Sequence, residues 1–94
     1  MTWDEGKNLD NRRKHGLSFE EAKELLAPGT DCLEIFDEVH SEREERFIAI
    51  GPIARGLALV VWTEADDETI RIISARLATE REKALYHRYM DERQ

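Results

Sequence analysis

Ninety-four residues suffice for one compact domain, expected over residues 1–94, and a hydrophobic fraction of 40% is enough to build its core. No apolar run approaches the ~20 residues that span a bilayer, and residues 1–10 lack the apolar stretch of a secretory signal, so a soluble, cytoplasmic protein is expected and a membrane protein is not. Fourteen basic against twenty-one acidic residues leave a net charge of −7, which argues against a chain that coats nucleic acid by itself.

The acidity is segregated. Residues 18–45 hold ten acidic and two basic side chains, residues 46–94 hold eight of each, and residues 1–17 carry a net +1. Such a stretch is either a solvated face or a dock for a basic partner. Cys32 is the single cysteine, so no internal disulfide forms, and it is expected as a half-buried strand residue.

In chain order, residues 5–15 suit a polar helix closed by Gly16, because glycine tolerates the left-handed conformation that ends helices. Ser18-Phe19-Glu20-Glu21 is a capping box, after which Phe19, Ala22, Leu25 and Leu26 recur at helical spacing until Pro28-Gly29 stops them. From Cys32 the period is two: Leu33 and Ile35 share a face, and Phe47 and Ala49 oppose Ile48 and Ile50. Gly51-Pro52 and Arg55-Gly56 read as a turn, and the apolar run from Leu57 to Trp62 reads as a central strand covered on both sides. Residues 65–68 read as a polar loop and residues 70–75 as another strand. Thr79-Glu80-Arg81-Glu82 is a second capping box, opening a last helix with Leu85, Tyr86, Tyr89 and Met90 as its apolar stripe. The expectation is an α+β fold: two N-terminal helices, an antiparallel sheet of three to four strands and a C-terminal helix. The helices are expected on one face of the sheet, leaving the other for a site.

Several segments resemble the BrnT family: Trp3-Asp4 with Lys7, Asn11, Lys14-His15-Gly16 leading into Ser18-Phe19-Glu20-Glu21-Ala22, then Glu45 to Gly51, Val60 to Glu64, and Arg71 to Arg76 followed by Ala78. They cover nearly the whole chain in order. The resemblance implies a RelE-like toxin of a type II toxin–antitoxin system that cleaves RNA without a metal or other cofactor and inhibits translation. It further implies silencing by a BrnA-type antitoxin in a 2:2 complex, with operator DNA contacted only through the antitoxin. Two positions depart from the family's usual residues: Ala65 stands where arginine is usual, and Leu77 where lysine is. Arg12 also occupies a commonly apolar position. These departures keep a second reading open, a catalytically weakened binding module that acts with its antitoxin as a co-repressor.

Metal-free RNA cleavage needs a base for the 2′-hydroxyl proton, cations for the charged phosphorane and an acid for the departing 5′-oxygen. Arginine suits the second task, since its planar fork binds phosphate oxygens in pairs and stays charged. Arg46, Arg71 and Arg76 all flank apolar strand residues, and are either a phosphate clamp or surface ion pairs. Five positions apart, Arg71 and Arg76 point to opposite faces of an unbroken strand; a bulge near Ser74 or the strand end would bring them together. His15 is the candidate proton-transfer group because an imidazole titrates near neutrality, although at a helix end it is equally suited to capping. Lys7 and Lys14, two helical turns apart, form a candidate RNA path or a plain solvated face. His40 and His87 have no ligand-like spacing with His15, so no metal site is expected. Tyr86 and Tyr89 are read as core rather than as base-stacking platforms.

Overall fold

The computed structural model describes residues 1–39, 42, 44–65 and 69–93. His40 and most of the 65–68 loop fall outside them. Helix α1, Glu5–His15, starts where the Asp4 side chain accepts from the Lys7 amide, and ends at Gly16, whose φ of 69° lets its own amide return to the Arg12 carbonyl. The Ser18 capping box forms in full, but α2, Phe19–Ala22, lasts one turn before tightening into a 3₁₀ turn, Lys23–Leu26. Strands β1, Leu33–Phe36, β2, Arg46–Ile53, β3, Gly56–Ala65, and β4, Thr69–Leu77, follow, and α3, Glu80–Glu92, closes the chain from the Thr79 capping box.

The four strands form an antiparallel meander in the order β1-β2-β3-β4. Gly51-Pro52 lies within β2 rather than in the turn, which is confined to Ala54-Arg55. Proline is tolerated there because β1 pairs with β2 only as far as Leu33 opposite Ile50, which leaves Pro52 on an edge. Glycine at 51 is a packing requirement: a Cβ would stand 2.8 Å from Cys32 Cβ. Cys32 itself precedes β1 and is partly buried. At the other edge, Thr2 pairs in parallel with Arg71, covering β4.

The helices are not gathered on one face. Ala49, Ala58, Val60, Trp62, Ile72 and Ala75 pack with Leu17, Phe19, Ala22 and Leu25 of the N-terminal segment. The alternate residues Ile50 and Leu59 pack instead with Tyr86 and Met90 of α3. The sheet is therefore covered on both sides, as the apolar run of β3 requires. Within α3, Leu85 is 44% exposed and lies off the buried stripe, which is carried by Tyr86 with Met90.

Helix α1 has one apolar residue, Leu9, and that is exposed; the helix docks through two buried asparagines instead. Asn8 Oδ1 accepts the Phe19 amide at 2.8 Å, supplying a partner for the first amide of α2, while its Nδ2 donates to Glu20 at 2.9 Å. Asn11 Nδ2 donates to the carbonyls of Leu17 and Ala75, and its Oδ1 accepts the Ala75 amide. The second asparagine thus pins α1 to one residue of β4.

Candidate active site

The geometry turns on the pairing of β3 with β4. Val61 opposes Ser74 and Trp62 opposes Ile72, so Ile73 is an extra residue and β4 bulges there. Ile72 and Ala75 can then both face the N-terminal helices although three positions apart, and Arg71, Ser74 and Arg76 all point the other way. Directly opposed residues share a face, so Arg46, Thr63 and Arg71 form one row, Ile35, Ile48, Val61 and Ser74 a second, and Ile50, Leu59 and Arg76 a third. The bulge puts all three candidate arginines on one face.

On that face, between α3 and the start of β2, lies a cleft of about 360 Å³. Ile48, Leu59, Val61 and Ser74 line it together with Arg46, Arg76, His15, Asp37 and Glu82. Arg71 stands on the same face but outside the lining, exposed beside the Thr2 bridge. A smaller cleft of about 210 Å³ adjoins it, lined by Lys7, Lys14 and Asp10 of α1 with Ile73 of the bulge; His15 and Ser74 line both. Lys7 and Lys14 are thus brought together, with His15 at the junction.

His15 is exposed, and its ring makes no hydrogen bond among the described residues; Gly16 closes α1, so the capping role falls to the glycine. Asp37 follows β1, its amide donating to the Arg46 carbonyl at 2.9 Å, while His15 lies beside β4. Two titratable groups therefore sit at opposite margins of the sheet. Thr63 Oγ1 donates to the Glu45 carbonyl at 2.6 Å and ties down the entry to β2 beside Arg46, whose guanidinium is 3.7 Å from Glu44.

Arg76 is held more firmly. Its Nη1 and Nη2 donate to the two Glu82 oxygens at 2.7 Å each, a bidentate pair from the end of β4 to the first turn of α3. The Arg76 guanidinium, more than burial opposes, holds the Glu82 carboxyl down to about 2, and Glu82 pushes the arginine up.

The departures from the usual residues separate. Ala65 alternates with Thr63 and shares the arginine face, whereas Leu77 follows Arg76 and points to the other. Tyr86 is core, its hydroxyl donating to the Asp31 carbonyl at 3.2 Å, and Tyr89 lies under Arg93. Among the described residues no three His, Cys, Asp or Glu side chains cluster as metal ligands, and no helix is long and apolar enough to cross a membrane.

The model of the family described as "Ribonuclease toxin, BrnT, of type II toxin-antitoxin system" matches residues 3–82. The chain belongs to the BrnT family. A crystal structure of the Brucella abortus ribonuclease toxin BrnT superposes with a TM-score of 0.61 and 25% identity, over 85% of this chain and 99% of that one. No curated protein matches. The family match runs from Trp3 to the first turn of α3 and so includes every residue of both clefts. Membership makes the chain a toxin of a type II toxin–antitoxin system, in a family of ribonucleases with antitoxin partners, and the RelE-like α+β arrangement accords with it.

Asp37 and the grip of Glu82 on Arg76 escape the sequence reading; Asn11 entered it only through the family resemblance, and the bulge at Ile73 only as an open alternative near Ser74. A signal existed for Asn11, which is three positions from Asn8 on a helix with no apolar stripe to bury. Glu82 was visible only as a capping residue.

Proposed function

We propose that this BrnT-family chain is a metal-independent endoribonuclease that inhibits translation and is neutralised by a BrnA-type antitoxin in a 2:2 complex. The observation that carries the reading is the bulge at Ile73, which turns Arg71 and Arg76 to the face of Arg46 over a cleft lined by a histidine and an aspartate. Arg46 and Arg76 bind the scissile phosphate, and Arg71 adds charge at the rim. Lys7 and Lys14, in the adjoining cleft, hold the neighbouring phosphate. The 2′-hydroxyl attacks phosphorus, its proton passes to a base, and the 5′-oxygen leaves with a proton from an acid, giving a 2′,3′-cyclic phosphate. His15 fills one proton-transfer role and Asp37 is the group placed for the other. The guanidiniums meet the phosphorane charge without reorganising.

The test is RNA cleavage by purified Arg46→Ala and Arg76→Ala. Each should lose about a hundredfold in rate while remaining folded, the usual loss on removing one preorganised donor. Parental rates in both folded variants would move the site elsewhere. The ion pairing of Arg76 with Glu82 favours a second reading, a weakened module that acts as co-repressor with its antitoxin. Growth arrest on expression of the chain alone, relieved by the antitoxin, separates the two: a binding module leaves growth unchanged.

A further inference from the structure

Arginine carries five N–H donors in a rigid fork. In Arg76 three are used: Nη1 donates to Glu82 Oε1 at 2.7 Å and to the Leu77 carbonyl at 3.4 Å, and Nη2 donates to Glu82 Oε2 at 2.7 Å. The Nε–H and the second Nη2–H, which form the side edge of the guanidinium, have no acceptor among the described residues. Glu82 cannot follow a swinging arginine. Its Oε1 also accepts the Thr79 amide at 2.8 Å, and its own amide donates to Thr79 Oγ1 at 3.2 Å. The carboxylate is built into the first turn of α3, and α3 is anchored through Tyr86 in the core.

We infer that Glu82 is a positioning residue: fixed by the helix cap, it grips the end of the Arg76 fork so that the side edge meets the phosphate oxygens of RNA in the cleft. The inference rests on the ribonuclease reading above. An unheld arginine would have to order its rotamers in every catalytic cycle, whereas this one is ordered once, on folding. Binding on the side edge also leaves Glu82 in place, so the phosphate need not displace a bidentate carboxylate.

Glu82→Gln separates positioning from capping. A capping box accepts glutamine as readily as glutamate, so α3 keeps its start. The amide, however, sets a donor against an Arg76 donor, and the fork is reduced to one hydrogen bond. For the purified chain, kcat on a short RNA should fall about tenfold or more with KM nearly unchanged, as a small misplacement of a catalytic group requires. Losing the ion pair should lower the melting temperature above pH 4.5, so the rates are compared at a temperature where circular dichroism shows both proteins folded. In the parent, the Arg76 Nε–Hε NMR signal should be resolved and should shift on adding a non-cleavable 2′-O-methyl oligoribonucleotide; in Glu82→Gln it should merge with the mobile arginines. Parental kcat with an unchanged Arg76 signal would reduce Glu82 to a cap, and a faster variant would make it a competitor of the phosphate; either overturns the inference, as does a parental signal that ignores the oligonucleotide. Arg76→Ala measured alongside tells the two failures apart. If it cleaves like the parent, the clamp itself is wrong; if it is impaired while Glu82→Gln is not, only the role of Glu82 is wrong.

Discussion

Replacing Asn11 with alanine tests whether the polar side of α1 holds β4 in register. Asn11 is 6% exposed and makes three hydrogen bonds: Nδ2 to the Leu17 and Ala75 carbonyls at 2.8 and 2.7 Å, and Oδ1 from the Ala75 amide at 3.1 Å. Leu17 and Ala75 are themselves buried, so alanine leaves an amide and two carbonyls without partners. At ~1–3 kcal/mol for each orphaned buried group, discounted for water entering the space, the loss is about 3 kcal/mol. For a domain of this size that is a fall in melting temperature of roughly 12–24 °C. Circular dichroism melts measure it, and RNA cleavage well below the variant's midpoint measures the second consequence. Arg76 follows Ala75, so loosening the anchor disorders the clamp and lowers the rate in molecules that are still folded. Asn11→Asp should be worse than alanine at neutral pH, because it sets a carboxylate against two buried carbonyls. That raises its folded-state pKa above the ~3.9 of the unfolded chain, so its stability should improve as pH falls and be lost as pH rises. An alanine variant melting within about 3 °C of the parent, against the ~12 °C minimum expected, would refute the reasoning.

Three further outcomes are expected. His15→Ala should remove one limb of the pH–rate profile and lower the rate by ~10²–10⁴-fold, with little change in melting temperature since Gly16 closes the helix. The Glu82 carboxyl titrates at about 2 rather than its ordinary 4.5, so the Arg76 pair stabilises fully above pH 4.5 and is lost between pH 4.5 and 2. Acid melts should therefore be shallower over that window for Glu82→Gln than for the parent. Ala65→Arg adds charge on the arginine face and Leu77→Lys on the other, so only the first should tighten binding of a 2′-O-methyl oligoribonucleotide in a fluorescence anisotropy titration.

The legible parts of the fold were those written in local chemistry. Both capping boxes, the glycine that ends α1 and the alternation of β2 each follow from neighbours within four residues. What escaped needs long-range partners. The meaning of Gly51 is that Cys32 and Leu25 press on it from other elements, so it read as a turn when it is a strand residue under close packing. Leu85 fits a helical stripe on paper, but only the sheet decides that Tyr86 and Met90 face inward. The candidate site was legible in composition and not in arrangement. Arg46, Arg76 and His15 were picked for their chemistry and do line one cleft, yet strict alternation separates Arg71 from Arg76. Only the extra residue at Ile73 reunites them, and no local pattern marks it.

The distribution of charge then acquires a structural meaning. A cleft lined by guanidiniums repels itself when empty unless carboxylates sit among them. Here Glu82 holds Arg76, Glu44 lies by Arg46, and Asp37 lines the same cavity. Two of these three, Asp37 and Glu44, belong to the acidic stretch of residues 18–45, which follows α1 and runs up to the first residue of β2. The start of that stretch packs on the opposite face of the sheet, but near its end Asp37 lines the cleft and Glu44 lies beside Arg46. A basic antitoxin segment drawn to that end would come to rest at the mouth of the RNA cleft, so the same acidic side chains that balance the empty site would place the inhibitor where substrate enters. On the proposed reading, charge attraction and occlusion would then act at one place, and neutralisation would need no distortion of the toxin.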